Sequence, residues 1–518
     1  MRLGNAWLAA LGVGLVSGCN LITGSDSFVI DGRKHSTANG ATTGAGSGSG
    51  GNNGSGGGAS NGAGGTPNLG DVTDATGVSI TEIDFYQAVK SKVMSSGTAV
   101  SPSVRIVANR PALVRVWTTT SGKSGGHITG RLTFDGHPPI DVDATSAGTS
   151  NESNLSSTIN FQVPAGDLTA GSGYKIELLE DRSTSSNPSS SAHFPASGSQ
   201  ALAMVNSFHV HVTIVPIQYG ADGSNRLPNT TASQIQAYKD GFMAMYPATG
   251  ADITVGAPMA WNQTVSANGT GWDTLLQAVA DHRIQSGAAA DEFYFGAFEP
   301  SSDVNSFCGG GCVAGLGYVG DPSSEQTRAA IGLGYGGDTS TYTALHEVGH
   351  NHGRQHSPCG GASSPDPAYP YPNGADGVWG YDSRTKQLQP PTNSDIMGYC
   401  DPKWISDYVY NDILSFKLAL GGTSFVFPEA TLNQPYDRVL VGADGKGTWL
   451  DPIVLPRPPL GGTTSVTIQT PNGPEDVEGH FYSYDHLPGG VLYVKHVASS
   501  PISALDAMLS TGRLHLLH

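Results

Sequence analysis

Residues 346–356 read His346-Glu347-Val348-Gly349-His350-Asn351-His352-Gly353-Arg354-Gln355-His356. Four residues are slightly more than one helical turn, so His346 and His350 leave one face of a helix and can converge on a single ion. Glu347 lies one residue along, close enough to act on a ligand of that ion without binding it. Gly353 suits the left-handed conformation that ends a helix and turns the chain, which brings His356 round as a third donor. Three neutral imidazoles leave a Zn²⁺ ion with one open position for water, the arrangement of a catalytic rather than a structural site. At this chain's own His, Glu and Gly frequencies, five such fixed positions arise by chance on the order of 10⁻⁴ times or fewer over the whole sequence.

Outward from this motif, the spacing predicts a helix over 339–352, with Asp338, Thr339 or Ser340 as N-cap and Gly353 at its end. Upstream, the alternating, β-branched run 208–217 predicts a strand, and Ile235, Tyr238, Phe242 and Met245 recur at helical spacing over 231–246. A strand at 252–259 follows, then a helix marked by Trp272, Leu275, Leu276 and Val279, a strand at 292–298, and glycine-punctuated strands at 313–318 and 329–334. This alternation predicts an α/β domain with a mixed sheet. His352, two residues beyond His350, points from another helix face and is not expected to be a ligand. His209 and His211 share one strand face and could bind a metal, but are read as a solvated surface.

Some forty residues past the motif lies Asp395-Ile396-Met397-Gly398-Tyr399. With the extended histidine motif ahead of it, this stretch resembles the metzincin zinc metalloproteases, whose signature pairs that motif with a later methionine turn. The resemblance covers residues 207–421 and implies a zincin-like α/β catalytic domain. It also implies that Met397 packs beneath the histidines as a base, and that Asp401, Pro402, Ile405, Tyr408 and Ile413 belong to a closing C-terminal helix. The implied chemistry has Glu347 as general base toward a zinc-activated water, and Tyr399 as the hydroxyl that steadies the oxyanion. The implied substrate lies extended along an edge strand, for which 313–318 and 329–334 are the candidates. The layout, with a β domain on either side, is similar to the secreted or lipoprotein bacterial mucinase-type group.

The flanks are β in style. Residues 71–206 carry short β-type runs between turn clusters, the pattern of an antiparallel sandwich, and 422–518 repeat it as a smaller β domain. Residues 36–65 lack charged, aromatic and large aliphatic side chains and are expected, within a 20–70 linker, to act as a flexible tether. Residues 1–19 have Arg2, an apolar stretch too short to span a bilayer stably, and Val16-Ser17-Gly18-Cys19, which resembles a bacterial lipobox. That implies cleavage before Cys19, lipidation of its sulfur, and display at a membrane, with the outer membrane or cell surface expected.

Beyond Cys19, the cysteines are Cys308, Cys312, Cys359 and Cys400, an even set in an exported chain, so disulfides are expected. Of three connectivities, Cys308 with Cys312 and Cys359 with Cys400 is favoured; a four-cysteine zinc site is the alternative. Lys and Arg number 26 against 43 Asp and Glu, a net charge of −17, which argues against a nucleic-acid partner. The expected function is a monomeric zinc endopeptidase acting on extracellular proteins or glycoproteins. The alternative is a glycan- or protein-binding adhesin on the same scaffold with little turnover.

Overall fold

The computed structural model describes residues 70–121, 126–146, 148–183, 185–206, 208–422, 427–496 and 501–518. Cys19, the signal segment and nearly all of the tether lie outside the described residues. Among the described residues, no helix is long and apolar enough to cross a membrane. The protein is rich in β-structure, with several sheets and few helices.

A six-stranded central sheet organises the middle of the chain. Strands Gly250–Val255, His209–Tyr219, Glu292–Phe298 and Ala329–Leu333 lie side by side and parallel, and Gly315–Gly317 closes the far edge antiparallel to Ala329–Leu333. Met259–Trp261 pairs with the end of His209–Tyr219. Alternation along His209–Tyr219 sends Val210, Val212 and Ile214 to one face and Val215 and Ile217 to the other. Helices α1 (Ala232–Met245) and α4 (Gly337–Asn351) cover the first face, and α2 (Trp272–Gln285) the second. The short α3 (Val304–Cys308) leads into the loop before the edge strand, and α5 (Asp407–Gly422) seals the α1/α4 side with Val409, Tyr410 and Ile413.

The order of strands decides between the two candidate substrate edges. Ala329–Leu333 has a neighbour on each side, so its backbone groups are committed within the sheet, and of the two candidates Gly315–Gly317 is the one at a rim. The expectation for 329–334 is therefore corrected.

Two sheets form the N-terminal sandwich around Phe85, Val114, Phe161 and Ile176. One of them, with Val78–Ser95, Ala112–Thr120 and Ile159–Val163, also takes up Gly380–Asp382 and Gln387–Gln389 from far along the chain. The sandwich is therefore not built from 71–206 alone. At the other end, seven antiparallel strands between Gln434 and Leu517 form one sheet. Its residues Tyr436, Leu440, Tyr482, Tyr484 and Tyr493 share a core with Trp272, Leu276 and Leu316. Packing, rather than a linker, fixes this sheet against the α2 side of the central one.

Candidate metal centre

Helix α4 carries the motif. It begins at Gly337, so Asp338, Thr339 and Ser340 sit in its first turn rather than at the cap, which corrects the expected start. Tertiary partners replace a local cap: Gly337 N–H donates to Gln234 Oε1 of α1 (2.7 Å), and Ser340 Oγ accepts Gly336 N–H (2.8 Å). At the other end Gly353 has φ +78° and its N–H donates to His350 O (2.7 Å). A side chain there would be strained and would press on the Gly320 carbonyl.

The turn brings His356 back to His346 and His350. Each ring is fixed the same way, with Nδ1 donating to a backbone carbonyl: His346 to Ile396 (2.7 Å), His350 to Arg354 (2.5 Å) and His356 to Ser363 (2.6 Å). In the neutral rings this leaves every Nε2 lone pair facing a common point, as metal-bound histidines require. His346 Nε2 and His350 Nε2 are 3.0 Å apart. Two acceptors that close repel unless a cation lies beside both, so the donor set suits a metal ion.

Glu347 is buried next to them, and its Oε2 finds no hydrogen-bond partner among the described residues. Gly315 on the edge strand makes room for it, because a Cβ there would collide with the Glu347 carboxylate. Met397 is fully buried below, with its sulfur against Gly349, where a methyl group would already be too close at 2.6 Å. Asp395 shapes that turn: Oδ1 accepts Met397 N–H (2.7 Å) and Oδ2 accepts Ser406 N–H (2.8 Å). Tyr399 hydroxyl donates to His356 Nε2 (3.1 Å), which puts it at the mouth of the donor group.

Two residues join that no local signal announced. Asp485 and His486, in the turn between strands Gly473–Ser483 and Gly490–Lys495 of the C-terminal sheet, offer donor atoms that lie with those of His346, His350 and His356 within 4.8 Å of one another. Asp485 Oδ2 is 3.0 Å from His350 Nε2 and accepts from His486 Nδ1; Asp485 Oδ1 accepts Gly317 N–H (2.8 Å). The His486 ring stacks on Tyr399 at 5.5 Å and 14°. A lone Asp-His pair carries no motif or spacing, so only the three-dimensional neighbourhood reveals it.

Burial sets the electrostatics. It holds His346 well below the usual histidine range, with His350 and His356 adding to the effect. It pushes His350 down to about 4 and His356 to about 2, so all three rings are neutral donors near neutral pH. Burial, then the nearby Asp485, raises Glu347 well above the carboxylate range. Burial would raise Asp485 too, but His486 and His350 outweigh it and hold Asp485 well below. A bound cation would favour the ionised form of both carboxylates.

The remaining expected residues fall elsewhere. His352 lies in the core, stacked on Phe293 at 4.3 Å, with Nδ1 donating to Val348 O (2.7 Å). His209 and His211 sit at the surface beside Asp252 (2.7 and 3.3 Å). Cys308 is bonded to Cys312 and Cys359 to Cys400; the second bond links the segment after His356 to the segment after Met397.

Residues 323–403 match the Peptidase M66 family model. The match takes in α4, His356, Met397 and both cysteines of the second disulfide, and supports a metallopeptidase family, hence a protease. It stops well short of Asp485 and His486. No curated protein matches the chain.

Proposed function

We propose that this chain is a zinc-dependent endopeptidase of the metzincin kind, displayed at a bacterial surface, that cuts extracellular proteins or glycoproteins. One observation carries the proposal: three imidazole Nε2 atoms, each oriented by a carbonyl on Nδ1, converge beside the buried carboxylate of Glu347, whose Oε2 has no hydrogen bond among the described residues. The peptidase family match supports it. His346, His350 and His356 would hold the ion, and zinc, when bound, supplies the Lewis acidity that brings a water's pKa toward neutrality.

The chain's own residues do the rest. Glu347 Oε2 takes a proton from the attacking water and returns it to the leaving amine. Tyr399 Oη donates to the developing oxyanion. The Gly315–Gly317 rim strand is where an extended peptide would pair, in the place that residues 483–485 hold in this structure. Tyr399→Phe should lower turnover about 10-fold or more at unchanged zinc content; an unaltered rate would leave Tyr399 a packing role only.

The direct test uses chain starting at residue 71: zinc content by elemental analysis, and cleavage of casein and of a mucin-type glycoprotein with and without a chelator. One equivalent of zinc with chelator-sensitive cleavage is expected. Zinc with no cleavage of either substrate would leave narrow specificity, latency or a binding role, and would move weight toward the adhesin alternative. Surface display rests on residues 1–19 and the 36–65 segment, so Cys19→Ser should move the protein from the membrane fraction to the soluble fraction. Persistent membrane association would count against lipidation.

A further inference from the structure

The turn that delivers Asp485 also runs along the free edge of the central sheet. Tyr484 bridges Tyr318 in antiparallel sense, Val319 N–H donates to Ser483 O (3.3 Å) and Asp485 N–H to Gly317 O (3.2 Å). These are the contacts an extended peptide would make on joining this edge, so residues 483–485 occupy the lane of a substrate. From that lane the Asp485 side chain turns inward. Its Oδ1 is tied to Gly317 N–H, and its Oδ2 reaches His350 Nε2, the nitrogen that faces the ion.

The geometry points to Asp485 as a fourth protein ligand of the metal, and to the 483–486 turn as a built-in stand-in for substrate, so that the centre rests in a capped form. The proposal rests on the metallopeptidase reading for the nature of the ion. With Asp485 bound, three imidazoles and one carboxylate would fill the four positions of a tetrahedral zinc site, so water would enter once Asp485 leaves. His486 acts as a positioning residue, bonded to Asp485 Oδ2 and stacked on Tyr399.

The cap is anchored by a folded sheet rather than by a loose tail. Tyr484 is buried against Tyr318 (5.4 Å), whose hydroxyl donates to Gln277 Oε1 of α2 (2.9 Å), and Arg438 forms an ion pair with Asp281 of α2. Uncapping therefore requires the 484–489 turn to shift or the C-terminal sheet to lift from α2. Either movement would open the metal position and the edge lane together.

Full-length protein with Asp485→Asn tests this without relying on turnover, since Asn keeps an oxygen for Gly317 N–H. Zinc affinity is measured by chelator competition, and the visible spectrum of the Co²⁺-loaded protein is titrated with acetohydroxamate. Expected are a 10- to 100-fold loss of zinc affinity, a changed Co²⁺ spectrum, and hydroxamate binding at least 10-fold tighter than to wild type. Asp485→Glu, which keeps the carboxylate, should lie between wild type and Asn, and covers the case in which the Asn variant does not fold. Equal zinc affinity, or equal hydroxamate affinity, in variant and wild type overturns the assignment. Failure of the peptidase reading is read separately: neither form would then cleave casein or mucin, while the metal and hydroxamate measurements still decide the role of Asp485.

Discussion

Glu347→Gln is expected to keep its zinc and lose about 10²- to 10⁴-fold in peptide hydrolysis, the range for a positioned general acid–base group. The substitution preserves shape, so the carboxamide still fits the space left by Gly315, and the three histidines and Met397 are untouched. What disappears is a group able to accept a proton between the metal position and the edge strand. Steady-state cleavage of casein at matched zinc content measures this. Because a cap on the centre would lower the wild-type rate, the same comparison belongs in the Asp485→Asn background as well. A rate within about threefold of the parent in both backgrounds would remove Glu347 from the proton-transfer role.

Arg110→Met is expected to destabilise the protein by roughly 2–3 kcal/mol, since each buried carbonyl left without a donor costs about 1–3 kcal/mol. Arg110 belongs to the N-terminal sandwich, yet its guanidinium caps the C-terminal end of α1. It donates to Met243 O (2.8 Å) and Ala248 O (2.6 Å), and also to Tyr246 O. Met243 is in the last turn of α1, whose final carbonyls have no partner within the helix, and a cation there is also favoured by the helix dipole; Tyr246 and Ala248 follow directly after it. Methionine keeps much of the length and none of the donors. Because α1 packs on α4, loosening this end should also weaken the metal centre, so the urea midpoint and zinc affinity should fall together. An unchanged midpoint would show that water can replace the guanidinium there.

The chain's local signals account for much of the centre. Helix α2 and the Glu292–Phe298 strand follow their apolar spacing closely, because period 3.6 and period 2 are properties of the backbone. The pairing of Cys359 with Cys400 was also within reach, since so few connectivities exist for four cysteines. Other features had no local trace. Helix α4 starts at Gly337 because Gln234 of α1 receives its first N–H, where the sequence offered Asp338, Thr339 and Ser340 as nearer caps. Gly380–Asp382 joins the N-terminal sandwich although it lies after the metal helix, and a three-residue strand is too short to announce its partner.

The sequence by itself determined the donor triad. His346 and His350 are one turn apart on one helix, and Gly353 supplies the turn that returns His356, so local geometry sets their convergence in any fold that keeps the helix. Only the tertiary structure decided that Asp485 and His486 share that point, and that Gly315–Gly317 rather than Ala329–Leu333 is the rim strand. Those placements depend on which strands pair and on how the Tyr436, Tyr482 and Tyr484 face of one sheet packs against α2. They come from the sum of many weak apolar contacts between distant segments, and no single stretch of chain encodes that sum.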